Sequence, residues 1–110
     1  MNRYTRLIAA SQHCAITCEG SLLHAVSLGD AETTRRLREC VDVCLLCSKA
    51  LARQSPFSLE IGCMCARVCD WCAERCALFS NSHLHVCTSA CLDCVREWQE
   101  LANSREEITL

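Results

Sequence analysis

The stretch Cys65-Ala66-Arg67-Val68-Cys69-Asp70-Trp71-Cys72-Ala73-Glu74-Arg75-Cys76 places cysteine at intervals of four, three and four residues. At about 100° per residue in a helix, these four positions fall within a stripe about 60° wide. The same intervals recur in Cys40/Cys44/Cys47 and Cys87/Cys91/Cys94, and Cys14 and Cys18 are four apart. The pattern is an inward seam in which cysteine takes the place usually held by leucine. Four such seams facing one another make a tube lined with thiols.

Breaker residues divide the chain into segments that suit this arrangement. Gly29-Asp30 pairs a helix terminator with an N-cap. Ser55-Pro56 pairs an N-cap with proline at the first helical position. Ser80-Asn81-Ser82 marks a third boundary. The intervening stretches lack strand-like alternation and predict helices over 3–28, 31–54, 56–79 and 83–103, each about 30–39 Å long. Residues 104–110 read as a frayed tail. Connections this short favour antiparallel neighbours. The predicted fold is all-α, one antiparallel up-down-up-down four-helix bundle domain over residues 1–110 with a cysteine-lined core.

Composition restricts what this bundle does. Hydrophobic types reach 51% of 110 residues, but aromatics are only 5% and 13 residues are cysteines. Sulfur must therefore fill much of the core. The net charge of −2 and the dispersed lysines and arginines give no footprint for nucleic acid or an anionic membrane. The short apolar run at the N-terminus, closed by Ser11, Gln12 and His13, is too brief for a signal peptide. A cytosolic, reducing location follows as the expectation, and there dense cysteine points to metal or redox chemistry.

Three readings of the cysteines compete. A disulfide framework suits the pattern poorly: i,i+4 neighbours have Cβ atoms about 5–6 Å apart, whereas a disulfide needs about 3.5–4.5 Å. An iron–sulfur or thiol redox protein is suggested by the C-x3-C-x2-C triplets at Cys40 and Cys87, but these lie inside helical segments of a short chain. No ferredoxin-type run is complete. The third reading is ligation of several soft ions. A C-x3-C pair sets two sulfurs to span a two-coordinate ion, and Cu(I) accepts linear or trigonal thiolate sets. Zinc wants closed sites of four ligands, and the linear sequence shows no grouping into fours. The candidate metal ligands are Cys14, Cys18, Cys40, Cys44, Cys47, Cys65, Cys69, Cys72, Cys76, Cys87, Cys91 and Cys94. A helical interaction module that needs no metal is a further alternative, from a different class. No catalytic constellation stands out, so the expectation is a non-enzymatic protein.

Extending the stripes predicts the two ends of the tube. Leu7, Leu51, Phe57, Ile61, Trp98 and Leu101 gather at the end holding the chain termini, as an apolar plug. At the other end the stripe of the last helix runs back to His83, a ligand at the mouth that relays ions inward. His85 points to the opposite face. His13 and His24 lie off the first stripe and suit packing or hydrogen bonding better than ligation. Cys63 sits about 160° from Cys65, and Gly62 takes the ladder position, so Cys63 and its neighbour Met64 are doubtful ligands. Ser11 and Ser21 fall on the stripe as polar gaps.

The run Cys65 to Cys76 followed by Cys87-Thr-Ser-Ala-Cys91-Leu-Asp-Cys94 resembles the bacterial copper storage proteins, Cys-rich four-helix bundles, over Cys14 to about Leu101. The resemblance implies multiple Cu(I) ions bound within each bundle through C-x3-C pairs, His or Met at an open mouth, and assembly as a homotetramer. Copper sequestration in the cytoplasm is the expected role, with a copper donor or acceptor protein as an expected partner. The chain departs from the cytosolic type in having fewer cysteines and in ending its stripes with Leu51, Trp98 and Leu101, which implies a lower capacity.

Overall fold

The computed structural model describes the backbone of residues 3–109 and the side chains of residues 3–104. Its helices are α1 (Thr5–Gly20), α2 (Leu22–Ser27), α3 (Ala31–Ala52), α4 (Ser58–Cys76) and α5 (Ser82–Thr109), with no strand among the described residues. α1 packs on α3 and α5, and α4 packs on the same two helices, which closes a four-sided bundle. Cys14 on α1 meets Cys40 on α3, and Cys44 on α3 meets both Cys65 and Cys69 on α4. Successive long helices run antiparallel, as the short connections require. The bundle is elongated, with extents of 48 × 22 × 20 Å.

Local chemistry explains the boundaries. Gly29 adopts φ 72°, a left-handed conformation that costs glycine little. Asp30 then caps α3 by accepting the Thr33 backbone N–H at 3.0 Å. Asn81 caps α5 in the same way, accepting from the N–H groups of His83 and Leu84 at 3.0 and 3.2 Å.

Several boundaries differ from those expected, among them the end of α3, which comes at Ala52 and not at 54. The first segment is not one helix over 3–28, because it breaks at Ser21. There the Ser21 hydroxyl donates back to the Thr17 carbonyl at 3.0 Å, a bond that competes with the helix ladder, and Gly20 beside it is a poor helix former. The third helix begins at Ser58 and ends at Cys76, inside the expected 56–79. Pro56 lies in a turn whose Ser55 hydroxyl accepts the Phe57 N–H at 3.1 Å. The stretch after 103 is helical through Thr109, since no glycine or proline interrupts it; Leu110 lies outside the described residues.

Candidate metal centre

The twelve cysteines on the helical seams are all fully buried, at 0% exposure. Cys63 is exposed. It lies on the outer side of α4 with Met64, which is 41% exposed. All thirteen are free thiols. The remaining buried polar side chains are Ser11, Ser21, Thr33, Ser48 and Ser58, so no charged group is buried among the described residues.

The sulfurs form one continuous column. Cys14/Cys18 and Cys40/Cys44 are 3.9 Å apart along their helices, but most close approaches run between helices. Cys14 lies 3.8 Å from Cys40 and 3.6 Å from Cys91. Cys40 reaches Cys69 and Cys91 at 3.8 Å, and Cys44 reaches Cys69 at 3.6 Å. Three groups of four sulfurs result: Cys14/Cys40/Cys69/Cys91, Cys14/Cys44/Cys69/Cys94 and Cys18/Cys40/Cys72/Cys91. The absence of fourfold groups, expected from linear spacing, is thus corrected by the fold. Each group draws one cysteine from each of α1, α3, α4 and α5, and only the axial stagger of the helices brings those four level.

Hydrogen bonding sorts the thiols. Cys14 is held well below the usual thiol range by the thiols of Cys18, Cys40, Cys44 and Cys69, which donate to its thiolate. Cys65 is lowered chiefly through Cys44, and Cys72 chiefly through Cys18. At Cys40 the bond to Cys14 raises the pKa, but Cys18, Cys44 and Cys69 outweigh it and leave about 7. The donors are pushed up in exchange: Cys18, Cys44, Cys69 and Cys91 first by Cys14, and Cys47 by Cys65. Burial raises every one of them further. Burial disfavours a lone thiolate in this column, and the protons leave when a cation takes their place.

The two ends of the column are both apolar. At the terminal end Leu7 and Leu51 are fully enclosed, Leu101 is buried, and Ile61 and Trp98 pack against them. Phe57, expected in this plug, is instead 64% exposed because it lies in the turn before α4. At the opposite end the inward position of α5 belongs to Leu84, three residues before Cys87, and His83 is exposed. Leu84, Leu37 and Ala25 are fully buried there, so an apolar layer covers the end expected to be open.

His83 stacks on His24 of α2, with ring centroids 3.5 Å apart and planes 13° off parallel. His24 is thereby brought to the mouth, a placement that its angular offset on α1 did not suggest, because the break at Ser21 intervenes. His13 and His85 are exposed. Ser21 joins this end to the thiols: its hydroxyl accepts from the Cys87 thiol at 3.0 Å and approaches the His83 carbonyl at 3.4 Å. Arg75 fastens the rim by donating to Asp30 at 2.7 Å.

Residues 1–103 match the family described as copper storage protein. A curated relative, the cysteine-rich protein YhjQ of Bacillus subtilis (strain 168), is 35% identical over 94 residues, 84% of this chain and 83% of its own. Among solved structures, the Cu(I)-bound copper storage protein BsCsp3 superposes with a TM-score of 0.86 at 28% identity, covering 91% of this chain and 98% of its own. The metal-free copper storage protein 3 from Bacillus subtilis gives 0.83 at 29% identity, covering 90% and 98%.

Proposed function

Because the chain belongs to the copper storage protein family, we propose that it stores several Cu(I) ions on its twelve core cysteines and acts as a reservoir, not a catalyst. The observation that carries this reading is the continuous column of buried thiols, with no buried charged residue among the described residues to balance them. An unbalanced thiolate in such a core is costly. A monovalent ion bridging thiolates one to one leaves the column neutral, and low-coordinate Cu(I) fits sulfurs shared between neighbouring layers. Sharing also follows from the overlaps, since Cys14, Cys40, Cys69 and Cys91 each belong to two fourfold groups.

Ions enter at the His24/His83 end, where the imidazole nitrogens stand just outside the apolar layer over the column, and not past the Trp98 plug. Cys63 and Met64 take no part. The protein works in the cytoplasm as a homotetramer and exchanges copper with a donor or acceptor protein. No helix among the described residues is long and apolar enough to cross a membrane.

The test is an anaerobic titration of the reduced chain with Cu(I) against a strong chelator. Uptake of many ions per chain is expected, approaching about one per core thiolate at the neutral limit. Saturation at one or two ions sinks the storage role. Iron and sulfide in the protein as isolated would favour the redox alternative instead.

A further inference from the structure

Two of the three fourfold groups share no residue. Cys14, Cys44, Cys69 and Cys94 make one layer, and Cys18, Cys40, Cys72 and Cys91 make the other, with all sulfurs of a layer within 4.8 Å of one another. The third group, Cys14/Cys40/Cys69/Cys91, straddles them. We infer that the reduced chain has a second mode of metal binding: two stacked tetrahedral tetrathiolate sites that accept a divalent ion of the zinc class.

The geometry of the two layers supports this mode independently of the copper reading. A tetrahedral ion with metal–sulfur bonds of about 2.3 Å has sulfur–sulfur edges of about 3.8 Å. Of the edges, Cys44–Cys69 at 3.6 Å, Cys40–Cys91 at 3.8 Å and Cys18–Cys91 at 4.0 Å bracket that length, and the others lie within 4.8 Å. Each layer is closed, because every ligand comes from a different long helix and no position is left for water. That is the form of a structural divalent site.

The two disjoint groups limit the mode to two ions, and the uncompensated charge left on each makes it weaker than loading with Cu(I). Each divalent ion displaces four thiol protons to solvent and leaves a site of charge −2, and no electron changes hands. Cys47, Cys65, Cys76 and Cys87 belong to neither layer. Adjacent layers touch through Cys14–Cys18 and Cys40–Cys44, both at 3.9 Å, so the second ion binds more weakly than the first. Cu(I), which neutralises the thiolates, displaces both.

The probe is Co(II) added anaerobically to the reduced, metal-free chain. Visible ligand-field bands of a tetrahedral tetrathiolate are expected, saturating at two ions per chain and bleached by Zn(II) or Cu(I). Cys63→Ala leaves two. Cys14→Ser breaks two groups and leaves one ion, and Cys14→Ser with Cys40→Ser breaks all three and abolishes the bands. Far-UV circular dichroism of each metal-free variant checks folding, and the wild-type stoichiometry stands by itself should a variant unfold. Octahedral spectra, saturation at one ion, or uptake of more than two overturns the inference. A parallel Cu(I) titration separates the two readings: copper uptake without tetrahedral Co(II) bands overturns only this mode, and the converse overturns only the storage role.

Discussion

A Cβ on Gly62 would stand 2.8 Å from Cζ3 of Trp98 and 3.4 Å from Leu7. Gly62 continues the seam of α4 three residues before Cys65, so the indole fills the rung where another side chain would stand. The missing side chain and the large ring are one fit, and together they end the thiol column. This fit also accounts for Cys63: with Gly62 facing Trp98, the next residue is turned outward.

Gly62→Ala is therefore expected to destabilise the metal-free chain. Overpacking costs about 1–3 kcal/mol, and the better helix propensity of alanine returns about 1 kcal/mol, leaving a net loss of about 1 kcal/mol. Trp98→Leu in the same chain should recover most of it. Thermal melts of the two single variants and the double variant measure the coupling; additive losses would show that the ring and the glycine are independent.

The helices and their buried faces were legible in the sequence because each depends on residues close in the chain. Gly29, Asp30 and the intervals of three and four are local signals. The fourfold groups were not legible, since they depend on the stagger between helices, which the period of one helix does not contain. Positions three and four before Cys87 both lie near its stripe, so Leu84 and His83 competed for the inward place. The apolar side chain took it, and the Asn81 cap set the helix start beside them. Phe57 lies outside the plug for a similar reason, because α4 begins after the proline turn instead of at it. The juxtaposition of His24 and His83 depends on the break at Ser21, where a side-chain bond to the backbone outweighs a continuous apolar pattern.

Ser11 marks a rung that can be filled. It is fully buried and its hydroxyl donates to the Ile8 carbonyl at 3.0 Å, one turn before Cys14. Ser11→Cys places a thiol in line with the column beside Cys47. Copper capacity is expected to rise by about one ion per chain, whereas Ser11→Ala leaves it unchanged. The chelator-competition titration measures both, and an unchanged capacity in Ser11→Cys would place this rung outside the copper column.

On the proposed route of entry, the histidine stack bears on rate, not capacity. His83 lies outside the apolar layer of Leu37 and Leu84, so it does not contribute to the final sulfur coordination. His83→Ala, alone or with His24→Ala, should slow copper uptake severalfold at unchanged stoichiometry. Rapid mixing with a buffered Cu(I) donor reads the rate. Equal rates in the variants and wild type would move the path of the ions elsewhere.

Asp30 makes the stability of the rim depend on pH. The Thr33 N–H first, and then the Arg75 guanidinium, hold its carboxyl below the ordinary carboxylate range. A group whose folded pKa is depressed contributes stability that is fully present above its unfolded value and is lost as pH falls through the folded one. The melting temperature of the metal-free chain should therefore fall on acidification in that window. Asp30→Asn keeps an acceptor for Thr33 but loses the ion pair with Arg75; Asp30→Ala loses both. At neutral pH the alanine variant should melt lower than wild type by roughly a few °C, with the asparagine variant between them. Below the folded pKa of Asp30 the gap between wild type and Asp30→Asn should close, because protonation has by then removed the same charge. A gap that stays constant across the titration would show that the Asp30–Arg75 pair contributes nothing to holding the start of α3 against the end of α4.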